Sequence, residues 1–202
     1  MDRRQKKTRT AILDACVSLI HEKDFQKITV HEIVKTADIN RGTFYLHFKD
    51  KYDMLDSFEN EMIEKIEKAI VNNLPKEPSN QLFLESRYDT IVQILKCYED
   101  NKELLQFLIK SSYSSFQKKL RNKLKLLFSE VIFPKLEKLE FEISTDLFSI
   151  IFASTSLSLA EYTYQSKTPI NIEELANLFF NILLQGPAKT LGLLRDEDSY
   201  KL

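Results

Sequence analysis

Thr29-Val30-His31-Glu32-Ile33-Val34-Lys35-Thr36-Ala37-Asp38-Ile39-Asn40-Arg41-Gly42-Thr43-Phe44-Tyr45-Leu46-His47-Phe48 is the stretch that decides the fold. Thr29 with Glu32 three residues on reads as a capping box, each side chain satisfying a free backbone N–H, so a helix begins at Val30. It is short, ends near Thr36 and buries Ile33, Val34 and Ala37. Asp38 then takes a turn conformation, Ile39 plugs the core, and Asn40 caps a third helix over about 41–48. Phe44 and Phe48, four apart, share the core face of that helix and leave Arg41, Thr43, Tyr45 and His47 to its other faces. Two short helices joined by a tight turn form a helix-turn-helix.

Upstream, a basic arm of Arg3, Arg4, Lys6, Lys7 and Arg9 leads into a first helix over about 8–23, with Ile12, Cys16, Leu19 and Ile20 at 3.6-residue spacing. Phe25 and Ile28 anchor the connection to the next helix. Downstream, Leu55, Phe58, Met62, Ile66 and Ile70 form one stripe of a long helix over about 51–71 that links head to body. Pro75 and Pro78 stop it and mark the domain boundary. Helical patterns recur at about 81–99, 101–110, 114–138, 145–165 and 172–185. Pro134 is expected to kink the third of these, Asn171 and Glu174 to cap the last, and Gly186-Pro187 to end it.

Composition agrees with an all-α chain. Of 202 residues only 3 are Gly and 5 Pro, while 43% are hydrophobic and 29% charged, which suits amphipathic helices and leaves few residues for β-turns. No apolar run reaches the roughly 18 residues that span a bilayer, and no signal core follows the basic N-terminus. The chain is therefore read as cytoplasmic, with no membrane partner. Cys16 and Cys97 lack any metal-ligand spacing and read as reduced thiols; no metal or cofactor is expected. The net charge of −1 hides an asymmetry, because residues 1–51 hold 11 Lys/Arg against 7 Asp/Glu. A basic head on an acidic body points to a polyanion for the head alone. With no Gly-rich phosphate loop, GxSxG or HExxH, the sequence does not read as an enzyme.

The segment Thr29–Leu55 resembles the DNA-binding domain of the TetR family of transcriptional regulators. The resemblance lies in Thr29, Ile33, Ala37, Arg41-Gly42-Thr43, Tyr45, Phe48, Lys51 and Leu55, and the run Gly-Thr-Phe-Tyr-x-x-Phe-x-x-Lys-x-x-x-Leu is far more specific than a generic helix-turn-helix. Val34 and Asp38 depart from it, where many members have Ala and Gly; Asp tolerates a left-handed backbone better than most residues. The resemblance implies residues 1–51 as a three-helix DNA-binding domain, helix four over about 51–71 as the link, and 72–202 as a larger helical domain for effector binding and dimerisation. It also implies a repressor that binds double-stranded operator DNA as a homodimer and responds to a small effector. The alternative is a helical DNA-binding adaptor or architectural protein with no effector.

For DNA, Arg41 in the first turn of the recognition helix is the choice for reading a base, since a guanidinium can meet a guanine edge at two points. Gly42 lets the backbone approach, Thr43 suits a phosphate or thymine methyl, and Tyr45 and His47 offer polar tips to the backbone. Thr29 and Asn40 sit at the two helix starts, and Lys51 is read as a phosphate clamp. Lys49 and the arm add weaker candidates, whereas His21 and His31 read as plain surface residues. In the body, Tyr88, Phe107, Phe116, Phe128, Phe152 and Tyr162 are candidates for an effector pocket suited to a small apolar or aromatic ligand, although they would serve equally as core. Leu147, Ile151, Ser154 and Ser158 of one late helix, and Leu175, Leu178, Phe179 and Ile182 of the last, are candidates for a dimer face.

Overall fold

The end of the second helix fixes how the head turns, and it is built on an aspartate. The structure is a computed structural model, and it describes residues 3–74, 80–132, 134, 144–166 and 169–190. Asp38 has φ 52°, in the left-handed region. Its N–H donates to the Lys35 carbonyl at 3.3 Å and the Ile39 N–H donates to the Val34 carbonyl at 3.0 Å. These are the paired bonds of a Schellman motif, which usually has glycine in the left-handed position. Ile39 is half-buried against the core, where the sequence places it.

The helices run α1 Arg3–Ile20, α2 Val30–Thr36, α3 Arg41–Tyr45, α4 Lys51–Val71, α5 Asn80–Asp100, α6 Lys102–Lys110, α7 Phe116–Leu127, α8 Thr145–Gln165 and α9 Ile172–Thr190, with a 3₁₀ turn at Phe25–Lys27 and a π turn at Phe128–Ile132. No strand occurs among the described residues. Four boundaries differ from expectation. α1 starts at Arg3, so the basic arm is itself helical. α3 stops at Tyr45, and Phe48 reaches the core through the following turn. The pattern at 114–138 closes at Leu127 and loosens into the π turn before Pro134, whose missing N–H cannot support a continuing helix; residues 135–138 lie outside the described ones. α9 runs through Gly186-Pro187 to Thr190, because a proline deletes one backbone bond, and near a helix end that loss is small enough for the helix to continue.

In the head, Ile12, Cys16, Ile33, Phe44 and Phe48 are buried together with Met54, Leu55 and Phe58 of α4, so α4 completes the head's core. Each such side chain contributes about 1.5–3 kcal/mol by leaving water. The same buried cluster continues without a break into the body through Phe107, Phe116 and Leu95. α6 packs on α1, and α4 packs on α5, α6 and α7; α5 pairs with α9, and α7 with α8. Cys16 is buried against the Met54 sulfur at 3.7 Å, and burial pushes its thiol well above the ordinary range. Cys97 is half-buried and pushed up to about 11 for the same reason. Neither forms a disulfide.

Candidate nucleic-acid interface

Three caps set the geometry of the head's outer face. Thr29 and Glu32 form the full capping box: the Thr29 hydroxyl accepts from the Glu32 N–H at 3.3 Å, and the Thr29 N–H donates to the Glu32 carboxylate at 2.9 Å. Lys23 pairs with the same carboxylate. This contact, followed by the Thr29 amide and hydroxyl, pulls the Glu32 carboxyl down to about 2. The start of α2 is therefore already occupied by an anion, and Thr29 is exposed but engaged within its own helix.

Asn40 caps α3 through its side-chain oxygen, which accepts from the Thr43 N–H at 2.7 Å and the Thr43 hydroxyl at 3.0 Å. A Cβ on Gly42 would lie 3.2 Å from that oxygen. Glycine at 42 thus leaves room for the cap, a role beyond opening the backbone. Asp50 in turn caps α4, accepting from the Tyr52 and Asp53 N–H groups at 2.8 and 2.9 Å.

With its backbone ends tied down, α3 presents a continuous outer surface. Arg41 is exposed, with its Nη2 donating to the Tyr45 hydroxyl at 3.3 Å and its guanidinium 5.8 Å from the Tyr45 ring centre. That ring stands edge-on to buried Phe44, at 5.5 Å and 89°. Gly42, Thr43 and Tyr45 share this surface, and His47 is half-buried beside Phe48. Leu46, absent from the sequence-based candidates, is 85% exposed at the C-cap of α3. Its signal was available: it lies four residues after Gly42, hence on Gly42's side of the turn, at a position where Phe44 and Phe48 already fill the core.

Two basic candidates have other employment. The Lys51 ammonium donates to the carbonyls of Phe25, Gln26 and Ile28 at 3.1, 2.8 and 2.7 Å, and lies 5.1 Å from the ring centres of Phe25 and Tyr52. Desolvation lowers its pKa, with Asp24 and Glu32 opposing. Lys51, read from the sequence as a phosphate clamp, thus has its ammonium engaged on the 3₁₀ turn. Arg9 does not belong to a free arm: its Nη2 donates to Glu61 at 3.0 Å and Ser57 at 3.2 Å, and its guanidinium lies 5.0 and 5.1 Å from the ring centres of Phe48 and Phe58. Arg3, Arg4, Lys6 and Lys7 are exposed, as are Lys49, His31 and His21. His21 nevertheless meets Gln106 of α6 at 2.9 Å.

The six aromatic pocket candidates do not converge. Phe107, Phe116 and Phe128 are buried in the core, with Phe107 set between Phe25 and Phe58 at the seam of head and body. Tyr162 is on the surface, and Tyr88 packs edge-on to Phe180 at 6.0 Å. Among the described residues, Phe152 borders a small space of about 10 Å³ between α5, α8 and α9, shared with Ile91, Ile94, Leu95, Ser156, Leu159 and Phe179. The Ser156 hydroxyl there is hydrogen-bonded to the buried Tyr98 hydroxyl, and burial raises the Tyr98 pKa.

Of the dimer-face candidates, Leu147 (56%) and Ile151 (51%) are exposed, with Ser154, Ser158 and Leu178. The Ser158 hydroxyl donates to the Ser154 carbonyl at 2.9 Å, so it is satisfied within its own helix. Leu175 and Ile182 are half-buried. Phe179 is a correction: it points inward to the internal space instead of outward.

Among the described residues no cluster of His, Cys, Asp or Glu is arranged to hold a metal, and no helix is long and apolar enough to cross a membrane. Similarity to known proteins centres on the head. Residues 12–58 match the family profile of "Bacterial regulatory proteins, tetR family". The chain is 20% identical over 185 residues to the HTH-type transcriptional repressor KstR2 of Rhodococcus jostii, covering 89% of this chain and 91% of that protein. It is 32% identical over 107 residues to the fatty acid metabolism regulator protein of Bacillus subtilis, covering 47% of this chain and about half, 55%, of that relative. The crystal structure of the transcriptional regulator FadR from Bacillus subtilis in complex with stearoyl-CoA superimposes with a TM-score of 0.61 at 21% identity, over 88% of this chain and 98% of that one. The helix-turn-helix at 29–48 and its caps lie within the segment that matches this profile, so the head is similar to the DNA-binding domain of the TetR family of bacterial regulatory proteins.

Proposed function

We propose that the chain is a sequence-specific DNA-binding transcriptional repressor of the bacterial cytoplasm whose residues 1–51 read operator DNA and whose residues 72–202 form a dimerising, effector-responsive body, with α4 between them. The observation that carries the reading is the outer face of α3, where Arg41, Thr43 and Tyr45 stand on a helix anchored from beneath by buried Phe44 and Phe48. Arg41 addresses a guanine edge, Leu46 gives an apolar contact to a thymine methyl or a sugar, and Tyr45, Thr43 and His47 meet the backbone. Thr29, Asn40 and Gly42 hold these groups in place. The exposed Arg3, Arg4, Lys6 and Lys7 at the start of α1 supply salt-dependent attraction.

The effector of this reading is apolar and elongated, of the acyl-chain kind. Its support is the likeness in fold to a regulator solved in complex with stearoyl-CoA; the space beside Phe152, about 10 Å³, would have to widen to admit such a chain. The packed Phe107, Phe116 and Phe128 favour a second reading, a DNA-binding protein whose body serves assembly alone.

The test is fluorescence anisotropy with the duplex upstream of the protein's own gene, across salt, for wild type and Arg41→Ala. Wild type should discriminate this duplex from a scrambled one, and Arg41→Ala should relax the preference at one base pair by about 1–3 kcal/mol. Identical behaviour of the two proteins removes Arg41 from the interface. Added stearoyl-CoA should release the wild-type protein from its duplex, and failure to do so at saturating ligand leaves the second reading standing.

A further inference from the structure

The connector between α6 and α7, Ser111-Ser112-Tyr113-Ser114-Ser115, touches the head and α4 at once. The Ser112 hydroxyl donates to Asp24 at 2.7 Å, and Asp24 itself caps the 3₁₀ turn clamped by Lys51. The Tyr113 ring lies 4.9 Å from Tyr52 of α4 and 6.5 Å from Phe25 of the head. On the inner side, Glu59 of α4 is only 2% exposed. Its carboxylate accepts from the Ser114 hydroxyl at 2.9 Å, the Ser115 N–H at 2.6 Å and the Ser115 hydroxyl at 2.8 Å, and it pairs with Lys119 at 2.8 Å.

This arrangement makes one helix start depend on another helix. Ser115, the residue before α7, gives no side-chain cap of its own, and α7 has no acidic residue in its first turn. The Ser114 hydroxyl accepts from the Phe116 N–H at 3.2 Å, and Glu59 adds the acceptor for the Ser115 N–H together with the negative charge that the positive end of α7 favours. A buried charge is tolerated only with full pairing, so α4 has one favourable position on α7, and departure from it strands a carboxylate. Lys119 also pairs with Asp56, and Lys123 with Glu67 at 3.0 Å, extending the seam along α4. The connector's Ser111 hydroxyl is buried with no hydrogen-bond partner, a feature of a segment not at its best-satisfied arrangement.

We propose that Glu59, gripped by the Ser111–Ser115 connector, is the positioning residue through which the body sets the orientation of the head. Movement of α7 or of the connector shifts α4 through Glu59 and shifts the 3₁₀ turn through Asp24, so the head follows the body as one piece. The proposal deepens the DNA-binding reading and rests on it for its consequence, control of operator affinity.

The test is amide hydrogen exchange on the full chain without DNA. Glu59→Gln keeps the shape and removes the charge, and it should speed exchange at residues 24–28 and 41–46 about tenfold while Ala15–Leu19 keep their rate. Glu67→Gln, which removes a pair on the same seam away from the connector, should leave the head at wild-type rates. Acceleration confined to 115–120, acceleration uniform along the chain, or the same head response in Glu67→Gln overturns the proposal. Should Glu59→Gln fail to fold, Ser115→Ala takes its place; it should give the same pattern at about threefold, and an unchanged head overturns the proposal. A parallel anisotropy measurement should show Glu59→Gln weakening operator binding with Arg41 intact. Wild-type protein that binds no DNA would sink the functional reading, while exchange still decides the joint.

Discussion

A lysine and an arginine at the edge of the head invite assignment to phosphate, yet both are already bonded within the chain. Lys51 spends its ammonium on the carbonyls of Phe25, Gln26 and Ile28. Lys51→Met keeps the stem over the Phe25 and Tyr52 rings and leaves those carbonyls short of donors. Thermal unfolding should show a loss of about 1–3 kcal/mol, with the salt slope of DNA binding unchanged. A flattened slope would return Lys51 to the phosphate contacts. Glu32 gives a pH dependence with a definite sign. Its folded pKa of about 2 lies below the ordinary 4.5, because Lys23 and Thr29 favour the charged form. A depressed carboxyl contributes stability that is present above about pH 4.5 and is lost as pH falls through the folded value. The Tm difference between wild type and Glu32→Gln should therefore be constant above pH 5 and shrink as pH drops from 4.5 toward 2. A difference that stays flat over that window removes the carboxylate as its cause.

Among the elements, the sequence was most legible where a backbone need maps onto one residue type. The capping box at Thr29 and Glu32, the Asn40 cap and the left-handed Asp38 could all be named from local chemistry, and they fix α2, the turn and α3. Asp38→Val tests that logic: a β-branched residue at φ 52° should cost about 1–2 kcal/mol in denaturant unfolding, and no loss would mean the turn relaxes to another conformation. Legibility failed where a side chain's partner is distant in sequence. Nothing near residue 9 tells that Arg9 will meet Glu61 and lie over Phe48 and Phe58, and nothing near residue 59 tells that Glu59 will cap α7. The aromatics of the body were ambiguous for the same reason: helical spacing says that Phe107, Phe116 and Phe128 face inward, but not whether the interior is packing or pocket. Phe179 illustrates the limit, since adjacent positions on an apolar helix differ in direction only once α5 is in place against it.

At the scale of the molecule, the proposed function needs two heads, and the exposed surface of the body is where the proposed pairing is tested. Helix-turn-helix proteins gain reach by pairing two recognition helices about 34–36 Å apart, one turn of duplex. Leu147, Ile150 and Ile151 lie exposed on α8 with Ser154 and Ser158 farther along, and Leu178 lies exposed on α9, leaving an apolar face that a second copy would bury. Small Ser158, whose hydroxyl donates to the Ser154 carbonyl of its own helix, allows close approach of a partner helix without leaving that hydroxyl unsatisfied. A charge placed in that face separates assembly from folding, because Ile151 is exposed in the single chain and its replacement leaves the core untouched. Ile151→Asp should elute as a monomer in size-exclusion chromatography with light scattering and keep its helical circular dichroism. Its operator affinity should fall about 10²-fold or more, because linked heads bind the second half-site as an intramolecular event and single heads do not. Its affinity for scrambled duplex should fall far less, since backbone attraction belongs to each head separately. A variant that stays dimeric and binds the operator as wild type would show that the heads are paired through some other surface of the body.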